Sequence, residues 1–208
     1  AVAGTHGKTT TSCMITHLLK NAGVNVTAFL GGISVNYNSN LILGDVNAKD
    51  AVVVVEADEF DRSFLTLHPD ISVITSMDAD HLDIYGDKSH LEESFRLFAN
   101  QLKSGGQLYA KAGLPLGDVK EQKATYSITE VADFSGTDIH IKDHQYIFNI
   151  NTSGGSYKEW KSGMPGRHNV ENVIAAIAVA LKMNIPADVI KEGVASFSGV
   201  KRRFEYHI

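Results

Sequence analysis

Hydrophobic positions in this chain follow two spacings. Short apolar runs at Val26–Leu30, Ala51–Val55 and Ile71–Thr75 have strand length. Elsewhere apolar residues recur every three or four positions. Met14, Ile15, Leu18, Leu19 and Ala22 share one helical face, as do Leu91, Phe95, Phe98 and Leu102. Gly23 is placed to end the first helix as its left-handed cap, and Ser104-Gly105-Gly106 closes the second. The β-branched run Ala51–Val55 lacks polar alternation, which fits a strand buried on both faces of a parallel sheet. Gly31-Gly32 predicts a break after the strand at Val26–Leu30, and Asn36, Asn38, Ser39 and Asn40 predict a loop within 33–50. Gln107–Ala110 and Ala124–Ser127 read as further strands.

The period changes over 131–161. Ile139 and Ile141 alternate with polar residues, and so do Tyr146, Phe148 and Ile150 beyond a turn near Lys142-Asp143-His144. Tyr157 and Trp160 follow Gly154-Gly155. Period two predicts a small antiparallel meander. Asn169–Met183 reads as a helix with Val170, Val173, Ile174, Ile177 and Leu181 inward, and Pro186 suits the first turn of a last helix through about Ala195. Strands alternating with helices imply right-handed crossovers. The expected class is α/β: a mostly parallel P-loop-type sheet flanked by helices, with a small antiparallel β meander.

Composition narrows the function classes. A chain of 208 residues has room for one large core, or one core with a satellite. A net charge of −5 gives no electrostatic reason to expect nucleic acid or an anionic membrane as partner. No apolar run has the length to span a bilayer, and no secretory pattern is present. The single cysteine, Cys13, has no internal partner for a disulfide, which fits a reducing, cytoplasmic compartment. Its place beside the apolar face of the first helix favours a packing role over a nucleophilic one. The chain opens three residues before Gly4 and stops in an extended-looking stretch, so it reads as a domain excised from a longer protein.

The candidate chemistry begins at Gly4-Thr5-His6-Gly7-Lys8-Thr9-Thr10-Thr11. This stretch follows the apolar Ala1-Val2-Ala3 and opens the first helix. Strand, glycine turn and helix together aim backbone N–H groups and the positive end of a helix dipole at an anion. Lys8 adds an ammonium for β- and γ-phosphates, and Thr9 a hydroxyl for Mg²⁺. Val2 stands where the general pattern has its first glycine, so the loop is a short variant. The alternative is an ordinary strand–helix turn. Ligands of parallel sheets bind at the carboxyl ends of the strands. Two further motifs should gather there, Glu56-Ala57-Asp58-Glu59-Phe60-Asp61 and Asp78-Ala79-Asp80-His81-Leu82-Asp83. Glu56 is the best candidate Mg²⁺ ligand, against a solvated charge. Asp58, Glu59 and Asp61 are weaker candidates in a mostly solvated cluster. Asp80, His81 and Asp83 form either a second metal site or a helix-capping aspartate beside a structural histidine. Asn169 is placed to cap its helix. With Asn172, three residues on, it also has the chemistry to read an adenine edge. Gly199-Val200-Lys201-Arg202-Arg203-Phe204 is either a solvated linker or a clamp for phosphate or carboxylate.

These motifs resemble, in order and spacing over nearly the whole chain, those of the Mur ligases. The quoted residues are Gly4–Thr10, Glu56–Glu59, Asp80-His81-Leu82-Asp83, His168-Asn169-Val170-Glu171-Asn172 and Gly199–Phe204. The short loop is normal in that family. The resemblance implies a three-domain ligase of which 1–208 is the central ATP-binding domain, with a β satellite at about 131–161. The UDP-binding and carboxyl-terminal domains would lie outside this chain. It implies an acyl phosphate formed from ATP, then attack by an amine. By the match, ATP is bound by Gly4, Thr5, His6, Gly7, Lys8, Thr9, Thr10, Asn169, Asn172 and Arg203. Magnesium is held by Thr9, Glu56 and His81, and Lys8, Glu56 and His81 are catalytic. The His6 form of the loop and Glu56–Leu65 are most like the branch that joins L-alanine to UDP-N-acetylmuramate in peptidoglycan synthesis. Glu93-Ser94-Phe95-Arg96 lacks the lysine that later branches carbamylate. The muropeptide-recycling branch is the nearest rival, and a stand-alone nucleotide-binding module is the alternative from another class.

Overall fold

The computed structural model describes residues 1–45, 47–60, 62–78 and 88–201. Chain order is β1 (Val2–Ala3), α1 (Lys8–Asn21), β2 (Val26–Ser34), β3 (Ser39–Ile42), β4 (Val52–Val55), a 3₁₀ turn (Ser63–Thr66) and β5 (Ile71–Ile74). Then come α2 (Lys88–Ala99), β6 (Gln107–Lys111), β7 (Gln122–Ser127), β8 (Phe134–Lys142), β9 (Gln145–Thr152), β10 (Gly155–Ser162), α3 (Arg167–Lys182) and α4 (Ala187–Ser196). Strands run in the order β1-β5-β6-β7-β8-β9-β10 in one sheet and β3-β2-β4 in another. The two meet at a single seam, where Val2 bridges Glu56 in parallel and the Ala57 N–H donates to the Val2 carbonyl at 2.8 Å. Pairing is parallel from β1 through β8 and in β2–β4, and antiparallel in β2–β3 and the β8–β10 meander. The expected α/β class is therefore observed. The meander is hydrogen-bonded to the parallel sheet, through Tyr126–Phe134 and Ser127–Ser135. Its Phe148, Ile150 and Trp160 join the main core.

The first helix sits at the centre of that core. Thr9 through Leu19 are all buried, because α1 lies against the sheet on one side and α3 and α4 on the other. Two of its buried hydroxyls are satisfied within the helix: Thr16 Oγ1 donates to the Ser12 carbonyl at 2.8 Å, and Ser12 Oγ to that of Thr9 at 3.1 Å. The helix closes as expected. Gly23 is left-handed at φ 75°, its N–H reaches Lys20 and that of Val24 reaches Leu19, the paired bonds of a Schellman cap. Cys13 is fully buried, in keeping with packing. A second core beneath α2 centres on Phe64, stacked on Phe98 at 5.1 Å and edge-on to Phe95 at 5.5 Å.

Three expectations are corrected. The β-branched run Ala51–Val55 is not buried on both faces: α1 packs on β4 and Val54 is buried, while Val53, which points to the opposite face, is 55% exposed. Gly31-Gly32 does not end β2, which continues to Ser34. The glycines are there for close approach: a Cβ on Gly31 would stand 2.5 Å from the Glu56 carboxylate, and one on Gly32 3.0 Å from Thr9. The loop expected within 33–50 contains β3, which forms a hairpin with β2. Asn38 supplies a left-handed turn residue at φ 52°, so its turn chemistry concealed the strand that follows it.

The meander carries a paired irregularity. Register shifts occur in β8 between Thr137 and His140, and in β10 between Tyr157 and Trp160. Asp138 and Glu159 are left-handed in these bulges. Asn149 on the central strand serves both, donating to Asp138 Oδ2 at 2.6 Å and accepting from the Glu159 N–H at 2.9 Å.

His17 couples α1 to two distant segments. Its Nδ1 pairs with the Tyr37 hydroxyl and its Nε2 with Ser196 Oγ, both at 2.9 Å. Ser196 Oγ also donates to the Gly193 carbonyl, which leaves it to accept from Nε2–H. Burial lowers the His17 pKa, opposed in part by a hydrogen bond to the Gly193 backbone. A depressed folded pKa means that the unfolded chain takes up the proton first. The stabilisation is thus complete above the ordinary histidine value of about 6.5 and is lost as pH falls through the folded pKa. Urea midpoints should fall on acidification from pH 7.5 to 5.5, and less steeply for His17→Gln. Equal slopes for the two chains would exclude His17 as the source.

Candidate functional site

Three strand ends converge at the start of α1. The loop Gly4–Gly7 leaves β1 and is suspended from the two residues that follow β5. The one Thr75 hydroxyl proton lies between two carbonyls, those of Ala3 (3.1 Å) and His6 (2.5 Å). Ser76 Oγ accepts the His6 N–H at 2.7 Å, and the Ser76 carbonyl accepts that of Thr5 at 3.3 Å. Thr5 Oγ1 is hydrogen-bonded to Ser76 Oγ at 2.9 Å and accepts from the Asp78 N–H. Gly4 lies at φ 137°, and a Cβ there would be 2.2 Å from Thr75 Oγ1. Gly7 caps α1 at φ 85°, with Asn172 Oδ1 2.7 Å from where its Cβ would be. Among the described residues no side chain caps α1, and its first turn has no acid. The amide donors and the helix dipole there are left for an anion.

Two carboxylates beyond β4 grip the next two residues. Lys8 Nζ donates to both Glu59 oxygens at 2.7 and 3.0 Å, with Asp58 at 4.0 Å. Thr9 Oγ1 donates to Glu56 Oε1 at 2.8 Å. The other Glu56 oxygen takes the Gly31 N–H at 2.6 Å and faces Ser12 Oγ at 3.5 Å. Glu56 is therefore an oriented acceptor, and the solvated-charge alternative fails. The expectation of a mostly solvated acidic cluster also fails at Glu59, which is 0% exposed. Asp58 does remain largely exposed. Sequence reading undervalued Glu59 because nothing in Glu56–Asp61 says which carboxylate turns inward. Phe64, a few residues on, was the available signal, since its burial draws this segment onto α2.

The other candidates separate clearly. Thr5 and Thr10 are buried, so their side chains face protein. His6 is exposed, with Nε2 3.8 Å from Asp78. Asn172 reaches the loop at Gly7 and is joined to Asn169, its Nδ2 donating to Asn169 Oδ1 at 3.3 Å. Asn169 does not cap α3. The helix begins two residues earlier behind Gly166, and the Asn169 amide donates to the Pro165 carbonyl at 2.6 Å, opposite in polarity to a cap. Between them, Glu171 pairs with Lys111 at 2.9 Å and accepts the Ile128 N–H at 3.3 Å, tying α3 to the ends of β6 and β7. Burial and the nearby Glu171 charge push the Tyr126 pKa up, and its hydroxyl donates to the Ile74 carbonyl at 3.2 Å. Gly199–Lys201 is no solvated linker: the Gly199 carbonyl accepts from Val35, and the Lys201 N–H donates to Ile33 at 2.8 Å. Arg96 turns to Glu92 and the Pro115 carbonyl. Asp61, Asp80, His81, Asp83, Arg202, Arg203 and Phe204 lie outside the described residues.

Among the described residues, no three of His, Cys, Asp and Glu converge as a metal centre. Thr9 Oγ1 and Glu56 form an all-oxygen pair beside the anion-binding loop. That donor set fits Mg²⁺, which takes few protein ligands and keeps several waters.

The profile of the Mur ligase middle domain matches residues 2–180. UDP-N-acetylmuramate–L-alanine ligase of Christiangramia forsetii is 50% identical over 208 residues, covering 100% of this chain and 44% of its own length. The enzyme of the same name from Flavobacterium johnsoniae is 48% identical with the same coverage. The chain thus spans about 44% of the length of these curated relatives. The crystal structure of UDP-N-acetylmuramate-alanine ligase MurC from Thermotoga maritima has a TM-score of 0.85 and 27% identity, covering 100% of this chain and 46% of that one. The Neisseria meningitides UDP-N-acetylmuramate:L-alanyl-gamma-D-glutamyl-meso-diaminopimelate ligase shares the fold, with a TM-score of 0.81 at 24% identity, over 97% of this chain and 66% of its own.

Gly4→Ala should cost about 2–3 kcal/mol, since the site combines a left-side φ with a direct clash against Thr75. Urea denaturation measures it, and a loss under about 0.5 kcal/mol would show that the loop relaxes freely.

Proposed function

Because the chain belongs to the Mur ligase family, through its middle domain, we propose that it is the ATP-binding part of the ligase that joins L-alanine to UDP-N-acetylmuramate. The observation that carries this reading is the meeting of Lys8, Thr9 and Glu56 at an uncapped helix start. The alanine-adding branch is supported by relatives of that name at 47–50% identity along the chain. The recycling-type neighbour stands at 24%. In the whole ligase, a UDP-binding domain and a carboxyl-terminal domain would complete the site. ATP and a nucleotide-sugar acceptor fit a cytoplasmic reaction.

The roles follow from charge. Backbone N–H groups at the start of α1, the loop residues Gly4–Thr10 and the Lys8 ammonium bind and orient the triphosphate. Thr9 and Glu56, with His81, would hold Mg²⁺, which when bound neutralises charge on the β- and γ-phosphates. The muramate carboxylate attacks the γ-phosphorus, the bond to the bridging oxygen breaks, and ADP leaves. The amine of L-alanine then attacks the acyl carbon, loses a proton and expels phosphate, leaving the amide. Asn169 and Asn172 serve the adenine side, and Arg203 the substrate or nucleotide.

Lys8→Ala should weaken a non-hydrolysable ATP analogue by at least about tenfold, because it removes a charge-assisted contact. Calorimetry on the unmodified and variant chains is the test, and equal affinities would remove Lys8 from the site. In the full-length ligase, Glu56→Gln should shift the magnesium dependence of turnover to higher concentration. An unchanged magnesium titration would argue that Glu56 only braces Gly31 and Thr9.

A further inference from the structure

We propose that Glu59 is a positioning residue for Lys8, a buried tether that keeps the ammonium aimed while it serves the phosphates. The proposal rests on the reading of Lys8 as the phosphate cation. Its first support is burial: Glu59 is 0% exposed and the Lys8 side chain 13%. A carboxylate at that depth is costly unless its charge is matched, and Nζ at 2.7 and 3.0 Å matches it.

The second support is how Glu59 is held. Its carbonyl accepts the Arg62 N–H at 3.0 Å, and Arg62 is left-handed at φ 61°. The 3₁₀ turn that follows drives Phe64 against Phe95 and Phe98. Gln101 closes the same turn by donating to the Leu65 carbonyl at 2.6 Å. The carboxylate is thus referenced to the aromatic core under α2, apart from the loop that it steadies.

The third support is the valence of the ammonium. It has three N–H donors, and Glu59 takes two of them. Asp58, at 4.0 Å, is beyond hydrogen-bond distance. Among the described residues no acceptor takes the third donor, which can serve a phosphate oxygen, so nucleotide need not break the pair. Two effects oppose each other in binding: the Glu59 charge weakens attraction between Lys8 and a polyphosphate, while the tether removes rotamer freedom in advance. At the reacting phosphorus, position governs the outcome. Nucleotide affinity should therefore change little without the Glu59 charge, and turnover should fall.

The test uses the full-length ligase that contains this chain. Glu59→Gln should keep the affinity for a non-hydrolysable ATP analogue within about threefold and lower kcat by about tenfold or more. Added to Lys8→Ala, the same change should lower kcat by less than about twofold, because a residue acting through Lys8 has nothing left to act on. A Glu59→Gln enzyme within about twofold of the unmodified kcat overturns the proposal. So does a tenfold loss that persists on the Lys8→Ala background, which marks a merely structural role. If Glu59→Gln fails to fold, Glu59→Asp keeps the charge but retracts it by one methylene. It should give the same split between affinity and kcat, and full kcat in that enzyme overturns the proposal. Unchanged affinity and kcat in Lys8→Ala would instead overturn the reading of Lys8 itself, and this proposal with it.

Discussion

Suspension of the glycine loop from Thr75 and Ser76 is the constraint on which the site depends. A glycine-rich turn has many conformations in water, and ordering it costs entropy with little burial in return. Here two short hydroxyl side chains take up the loop's backbone groups at several points. Both belong to the end of β5, which pairs with β1 on one side and β6 on the other. The loop therefore inherits the rigidity of the sheet. Once it is fixed, α1 starts in one place, and its first two side chains meet the carboxylates that leave β4.

The seam between the two sheets gives that second meeting its geometry. β4 touches β1 through one bridge, and Glu56 is the bridging residue. Its backbone joins the sheets while its side chain reaches Gly31 and Thr9. A carboxylate on a flexible loop would pay for every such contact in lost freedom; Glu56 has its backbone fixed by pairing. The glycine at position 31 belongs to the same arrangement, because any Cβ there would displace the carboxylate.

Much of this was legible in the residues. Periodicity gave the helices and the parallel strands, because burial is what hydrophobic pattern records; the β-branched run of β4 overstated it, since Val53 faces outward. The glycine loop and Glu56 were legible because their chemistry is local. What stayed hidden was long-range. Gly31-Gly32 has the composition of a break, and only the approach of Glu56 and Thr9 from other elements explains why the strand runs on. Asn169 has the composition of a cap, but Gly166 takes that place and leaves the amide to bond Pro165. The inward turn of Glu59 depends on Phe64 packing under a helix more than twenty residues away in sequence.

The irregular strands at the far side of the sheet bear on how the molecule meets its neighbours. β10 ends the sheet, and an uninterrupted outer strand would offer a row of backbone groups to any other chain. Its bulge breaks that row at mid-length, with Lys158, Glu159 and Lys161 in the same stretch. Asn149 locks this kink to a matching one two strands away. A second chain trying to extend the sheet there would meet a bent, charged rail that cannot straighten without breaking both sets of bonds. At β10 the bulge thus interrupts the row of backbone groups that strand addition needs.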